Sequence, residues 1–157
     1  MKITVERTAN APADALWAYM GDFSNVHKFH PMLNDSHFIE GSQSCDVGST
    51  RQCNFKDGSI LKERITEWKD GSHYKIDIVE SSMPVDNASA KLGVRSIGGG
   101  QTLTYMTVEA KPKNKLMQPM MYMIFKYKVI PGILKGLEDL YKSDLAVEST
   151  LKSTTTV

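Results

Sequence analysis

Residues 49–80 have the sequence STRQCNFKDGSILKERITEWKDGSHYKIDIVE, which carries the clearest structural signal in the chain. Two pairs, Asp57-Gly58 and Asp70-Gly71, separate three segments in which apolar and polar residues alternate. Asp-Gly between alternating segments is a strong local signal for a tight β-hairpin turn. Strands joined by such turns are antiparallel. The segment therefore predicts three antiparallel strands, over Ser49 to Phe55, Ser59 to Trp68 and His73 to Glu80.

The flanking sequence extends this sheet to six or seven strands. At the start of the chain, Ile3, Val5 and Arg7 share one face of an alternating segment. The run Gly98-Gly99-Gly100 lacks the Lys-Ser/Thr ending of a phosphate-binding loop, so we interpret it as a flexible turn. The additional predicted strands are Met1 to Thr8, Phe38 to Gly41, Asn87 to Ile97 and Thr102 to Ala110.

Three segments have helical patterns. A first short helix is predicted from Pro12 to Gly21, since proline suits a first helical turn. A second begins at Ser24 and ends before Pro31. From about Leu116 to Leu151, apolar residues recur three and four positions apart, which predicts one long helix. Pro131-Gly132 is expected to kink or split it.

Together these elements predict an α+β fold in which a curved, six- to seven-stranded antiparallel sheet surrounds a long C-terminal helix. Two short helices close one end. A single helix cannot fill the trough of a strongly bent sheet, so an internal cavity is expected. No linker or repeat divides the chain, which predicts one ligand-binding domain over residues 1–151 and a disordered tail over 152–157.

The composition argues against several classes of function. Lysine and arginine total 19 and aspartate and glutamate 18, with the signs interspersed, so we expect no nucleic-acid partner. Cys45 and Cys53 are too few for a disulfide framework, and the first residues form a charged strand and not an apolar leader, which predicts a cytoplasmic protein. His27, His30 and His37 lack the spacing of a zinc site, and we expect no metal and no cofactor.

Five segments follow one another in an order and spacing that a known superfamily shares. They are Ala11 to Phe23, Val47 to Arg51, Asp57 to Ile65, Met83 to Asn87 and Gly136 to Leu140. Together they resemble the START-like (SRPBCC) superfamily, and within it the polyketide cyclase/dehydrase group. The resemblance implies a helix-grip fold with a deep hydrophobic cavity that binds a lipid, sterol, polyketide or plant hormone, and some members are enzymes. The Met-rich segment 117–125 departs from smaller relatives.

Side-chain alternation indicates which residues face the cavity. Leu61, Glu63 and Ile65 share one face of their strand, and the opposite face is polar. On the preceding strand, Arg51 faces inward together with Cys53. We expect Arg51 and Glu63 to pair, because breaking a buried pair costs roughly 3–5 kcal/mol. The pair either orients the polar end of a ligand or is a structural ion pair.

Candidate ligand-binding residues come from most parts of the fold. Small alanines at positions 88 and 90 leave room on the predicted cavity wall. The two faces of the strand over 102–110 are nearly balanced, so its orientation stays open. The candidates are Trp17, Phe23, His30, Met32, Arg51, Phe55, Leu61, Glu63, Tyr74, Ile76, Ile78, Met120, Ile124 and Tyr127.

The Met-rich segment before Pro131 has three interpretations. It is a plain core helix, or it lines the cavity, since methionine adapts to irregular binding surfaces. Alternatively it is an amphipathic segment that contacts a membrane transiently. The last interpretation rests on the flanking lysines, which are Lys113, Lys115, Lys126 and Lys128.

The function we favour is binding of a small lipophilic molecule, for transport or sensing, by a monomer or homodimer. The alternative is a cofactor-independent polyketide cyclase or dehydratase that uses acid–base chemistry in the same cavity. An apolar cavity can tune a carboxylate for proton transfer. Glu63 is therefore the candidate catalytic residue, with Tyr74 or His30 as its partner.

Overall fold

A computed structural model describes residues 1–155, and one seven-stranded sheet lies at its centre. The strands are β1 (Lys2–Ala9), β2 (Leu33–Ile39), β3 (Thr50–Phe55), β4 (Ile60–Lys69), β5 (His73–Ser81), β6 (Val85–Gly98) and β7 (Gln101–Pro112). Their spatial order is β1-β7-β6-β5-β4-β3-β2, and every neighbouring pair is antiparallel. The meander predicted from residues 49–80 is therefore confirmed, and so is the α+β helix-grip architecture.

One predicted strand is displaced. The segment Phe38 to Gly41 was expected to be a strand, whereas β2 begins five residues earlier and ends at Ile39. Glu40 and Gly41 have φ values of +56° and +73°, in the left-handed region that extended strands do not use. Those two residues form a turn, and the prediction for them was wrong.

Helices occur where the sequence predicted them, between β1 and β2 and after β7. Helix α1 (Ala13–Met20) and a 3-10 helix (Phe23–Lys28) connect β1 to β2. After β7 come a 3-10 turn (Lys115–Met117), α2 (Gln118–Ile124), a π-helical turn (Phe125–Val129) and α3 (Ile130–Thr155). Helix α3 extends four residues into the segment 152–157 that was predicted as a disordered tail, and residues 156 and 157 lie outside the described chain.

The C-terminal helix is altered one turn before Pro131. The N–H of Ile130 donates to the carbonyl of Phe125, five residues back, which defines the π turn. Proline has no N–H, and its ring crowds the carbonyl four residues before it. A wider turn directly before Pro131 accommodates that ring, and the backbone at Ile124 and Ile130 stays in the right-handed helical region. The helix therefore continues past Pro131 with a changed hydrogen-bond pattern.

Two contacts hold α3 in the concave side of the sheet. A Cβ at Gly136 would lie 2.1 Å from the carbonyl oxygen of Phe29, so only glycine permits this close crossing. Glu138 is buried, lies 3.5 Å from an Arg7 guanidinium nitrogen on β1, and accepts the N–H of Asn10 at 3.3 Å. The helix is thereby fixed against the first strand and against the loop that follows the 3-10 helix.

Aromatic side chains fill one end of the interior, which we call the aromatic end. Trp68 and Tyr74 are partners across β4 and β5, and their rings stack with centroids 5.4 Å apart. Trp17 of α1 packs on both rings and donates its Nε1–H to Asp70 at 2.9 Å. Phe23 meets Tyr74 edge-on at 5.7 Å. The aromatic end consists of Trp17, Phe23, Trp68 and Tyr74.

Candidate functional site

The other end of the interior is hollow. A cavity of about 250 Å³ lies between the sheet and the C-terminal helix, and we call this part the hollow end. Its wall is apolar except for His30, Arg51, Glu63 and Ser89. The apolar wall residues are Val26, Met32, Phe55, Leu61, Ile76, Ile78, Met83, Val85, Ala88, Ala90, Leu92, Met106, Val108, Ala110, Met121, Ile124, Phe125, Val129 and Ile133.

Short side chains on the central strands keep this end open. Ala88 and Ala90 on β6 and Ala110 on β7 present only a methyl group to the cavity. An apolar cavity of about 150 Å³ already admits benzene, so this one admits a compact organic molecule somewhat larger than that. Met32 and Ile124 belong to the wall and are nevertheless 42% and 43% exposed, which places the mouth of the cavity beside them.

An ion pair occupies the boundary between the two ends. Arg51 and Glu63 are direct partners across β3 and β4, and Arg51 Nε donates to Glu63 Oε2 at 2.5 Å with both side chains buried. This confirms the predicted pairing. Arg51 Nη1 also donates to the Phe23 carbonyl at 2.7 Å, and its guanidinium carbon lies 4.0 Å from the centre of the Phe23 ring. Burial lowers the pKa of Arg51, but the Glu63 carboxylate, together with Tyr74 and Cys53, outweighs it and holds that pKa above its ordinary value.

One oxygen of Glu63 is left for the cavity. Cys53 Sγ donates to Oε2 at 3.6 Å, so both protein contacts of this carboxylate use the same oxygen. Within residues 1–155, no group donates to Oε1. Burial raises the pKa of the Cys53 thiol and the Glu63 charge raises it further, so this cysteine stays protonated and is a poor nucleophile.

His30 supplies a neutral polar group to the same wall. Its Nδ1 accepts the N–H of Met32 at 3.3 Å, so the neutral ring carries its proton on Nε2. Burial, aided by the positive charge of Arg51, lowers the pKa of His30 to about 4. His30 also borders a small recess that contains Arg51, Cys53 and Glu63. At neutral pH this side of the cavity therefore combines an imidazole donor with a carboxylate acceptor.

The structure separates the candidate residues into two groups. Those on the cavity wall are His30, Met32, Arg51, Phe55, Leu61, Glu63, Ile76, Ile78 and Ile124. Three others lie off the wall because they build the aromatic end, namely Trp17, Phe23 and Tyr74. Met120 and Tyr127 also lie off the wall, since they point to solvent with 53% and 63% exposure. The placement of these five at the cavity is corrected by the structure.

The sequence identified the inward face of the C-terminal helix only in part. Ile124 lines the cavity as proposed, together with Met121, Phe125 and Val129, which were not proposed. The spacing of four between Met121, Phe125 and Val129 is a usable signal, but methionines and aromatics fall on both sides of this helix. On β7, where the facing was left open, Met106, Val108 and Ala110 point inward and Tyr105 points outward.

Comparison with known proteins yields a family and a fold. Residues 1–142 match the family described as "Polyketide cyclase / dehydrase and lipid transport". No curated protein sequence matches the chain. Within residues 1–155, no helix is both long and apolar enough to cross a bilayer.

Solved structures similar to this chain come from several bacteria. The protein XoxI of Bacillus cereus is 18% identical, with a TM-score of 0.77 over 89% of this chain and 94% of that one. An uncharacterised protein of Bacillus thuringiensis is 17% identical, with a TM-score of 0.77 over 90% and 98%. A protein from Thermobifida fusca is 20% identical, with a TM-score of 0.75 over 89% and 92%. At these identities the similarity establishes the fold alone.

Proposed function

This chain belongs to the polyketide cyclase / dehydrase and lipid transport family, and we propose that it binds a compact, uncharged and largely apolar molecule in its cavity. The observation that carries the proposal is an apolar space of about 250 Å³ with His30, Arg51 and Glu63 gathered at one side of it. Concave apolar sites with a few convergent polar groups are typical of small-molecule pockets. Transport or sensing of a lipophilic molecule is the role we assign to it.

The polar wall defines what one end of the ligand carries. A ligand hydroxyl would donate to Glu63 Oε1, and a ligand carbonyl would accept from the Nε2–H of His30. A carboxylate ligand is disfavoured, because Arg51 already binds Glu63 and the Phe23 carbonyl, so a second anion would face Glu63 without a free cation. A phenol, an enol or a ketone fits this wall best.

The size of the cavity further narrows the class of ligand. Pockets for drug-sized ligands usually measure about 300–1,000 Å³, so this one suits a molecule of one or two small rings. A long acyl chain would have to extend through the mouth beside Met32 and Ile124. Both cysteines are free thiols, which supports our proposal that the protein acts in a reducing cytoplasm.

A second candidate function is acid–base catalysis on a ketone ligand. It is favoured by one observation, the unused Oε1 of Glu63 on the same wall as the neutral imidazole of His30. Oε1 would take a proton from the carbon next to the carbonyl, and the His30 Nε2–H would stabilise the enolate oxygen. We favour His30 over Tyr74 as the partner of Glu63, because His30 lies on the cavity wall whereas Tyr74 is fully buried among the rings of the aromatic end.

Native mass spectrometry of the purified protein, followed by organic extraction, tests the binding proposal. We expect a co-purifying molecule of low mass with one oxygen-bearing end. Titration with simple phenols and cyclic ketones gives the affinity, and Ala90→Leu is expected to abolish it by filling the cavity. If Ala90→Leu binds these probes as well as the native protein does, the cavity is not the binding site.

The Glu63→Gln variant distinguishes binding from catalysis. It keeps the shape of the side chain and removes its basicity. Loss of turnover of a polyketone with unchanged ligand affinity supports catalysis. Retained turnover, measured by liquid chromatography, contradicts a role of Glu63 as base, and His30→Asn provides the matched test of the donor.

A further inference from the structure

Four exposed apolar residues lie on the helical segment that leads into α3, from the 3-10 turn through the π turn. They lie four, three and four positions apart, a spacing that favours one side of a helix. Their exposure is high, at 88%, 53%, 57% and 63%. We call them the exposed apolar row, and in that order they are Leu116, Met120, Met123 and Tyr127.

Positive charge borders the row. No acidic residue occurs between Glu109 and Glu138, a stretch that contains six lysines. Only Lys135 of these forms an ion pair within residues 1–155, with Asp139. Lys126 instead donates to Tyr122 Oη at 3.0 Å and lies 5.5 Å from the centre of the Tyr127 ring. The five remaining lysines, which we call the basic fringe, are Lys111, Lys113, Lys115, Lys126 and Lys128.

We propose that the exposed apolar row and the basic fringe dock reversibly on an anionic lipid surface. Apolar side chains enter the interface between headgroups and acyl chains, and lysines beside them meet the lipid phosphates. The whole chain has a formal net charge of only +1, so this local concentration of unpaired cations differs from the rest of the molecule. A second copy of the chain is a poor occupant, because it would bring the same positive charges to the contact.

The docking face adjoins the mouth of the cavity. Ile124 lies between Met123 and Tyr127 in the same helix, lines the cavity and is partly exposed. Docking would therefore bring the mouth against the bilayer, where an apolar ligand is soluble. Vesicle binding itself requires no ligand, so the inference stands or falls independently of the proposed function.

Vesicle co-sedimentation tests the proposal with the intact protein. We expect binding to vesicles of equal parts phosphatidylcholine and phosphatidylglycerol, and little binding to phosphatidylcholine alone. The double variant Lys115→Gln/Lys128→Gln should bind roughly 25-fold more weakly, at about fivefold for each lysine. The control Lys28→Gln/Lys69→Gln removes the same charge from exposed positions near α1 and the β4–β5 turn, and should bind like the native protein.

A second double variant tests the contribution of the exposed apolar row to vesicle binding. Met120→Gln/Met123→Gln changes two exposed side chains that do not line the cavity, so folding and ligand affinity should stay the same while vesicle binding is lost. The proposal is overturned if the native protein ignores both vesicle types or if the two lysine variants bind equally. It is also overturned if the native protein is a dimer that Met120→Gln/Met123→Gln dissociates, because the face would then be a contact between copies.

Discussion

The aromatic end and the hollow end share the same strands and the same sheet face, yet one is packed and the other is open. Tyr74 and Ile78 lie four residues apart on the inner face of β5. Tyr74 is fully buried among rings, whereas Ile78 borders the cavity. Both ends are built on the same strands, and the side chains that these strands carry differ greatly in volume. Indole and phenyl rings fill the space under α1, and alanines leave it unfilled under the C-terminal helix.

The ion pair links the two ends. Arg51 is held from the aromatic side by the carbonyl and the ring of Phe23, and it holds Glu63 toward the cavity. A polar group in an apolar cavity needs such support, because a buried charged side chain without a partner shifts its pKa and becomes neutral. The packed end therefore acts as a rigid base for the polar wall of the hollow end.

Of the substitutions that test this comparison, removal of Arg51 should have the largest effect on the unfolding free energy. Arg51→Ala leaves Glu63 buried without its cation, which costs about 3–5 kcal/mol of unfolding free energy. Urea denaturation measures the loss. The double variant Arg51→Met/Glu63→Gln removes both charges and should recover most of it. If the double variant is as unstable as Arg51→Ala, packing around Arg51 and not its charge holds the boundary together.

Matched truncations of one packed isoleucine and one cavity-wall isoleucine sharpen the comparison. Ile65→Ala in the packed interior should cost about 3–4 kcal/mol, because it removes contacts on all sides and leaves a new void. Ile78→Ala should cost about 1–2 kcal/mol, since one side of Ile78 already faces the cavity. Denaturation of both variants in parallel gives the difference. Equal costs would mean that the hollow end is filled by protein in solution.

The pH dependence of stability tests whether the hollow end is dry. The pKa of His30 is about 4 in the folded state and about 6.5 when unfolded, so the unfolded chain binds the extra proton between these values. The unfolding free energy is therefore greatest above pH 6.5 and falls as the pH drops toward 4, by up to about 3 kcal/mol from this residue. His30→Asn should show a smaller fall in urea titrations across that range. A native-like slope in the variant would place water around the imidazole.

Filling the cavity should have the smallest effect on stability. Ala90→Val adds two methyl groups toward an existing void, so its unfolding free energy should stay within about 1 kcal/mol of the native value. Ligand affinity should nevertheless fall, because the usable volume shrinks. The control Ala18→Val changes an exposed alanine of α1 and should leave affinity alone. A large stability loss in Ala90→Val, seen as a lowered Tm, would show that no void exists there.

Much of this architecture could be read from local sequence patterns. The two Asp-Gly turns and the alternation around them predicted β3, β4 and β5 and the pairing of Arg51 with Glu63, since alternation and register follow from neighbouring residues. The turn signal was weaker at the end of β2. Glu40, which follows this strand, adopts a positive φ that no local sequence pattern predicted. The C-terminal helix was predicted, but of its inward face only Ile124 was, because apolar residues occur on all sides of the helix and a π turn changes its phase after Ile124.

By itself, the sequence determined which residues alternate, where the chain turns and that an arginine and a glutamate share an inner face, because these properties depend on residues close together along the chain. Only the tertiary structure decided that Trp17, Phe23 and Tyr74 pack together and fill one end of the interior, so that the cavity is confined to the other end. Whether a space is filled depends on the summed volume of side chains from distant segments. That sum is fixed only when α1 and the C-terminal helix pack against the sheet.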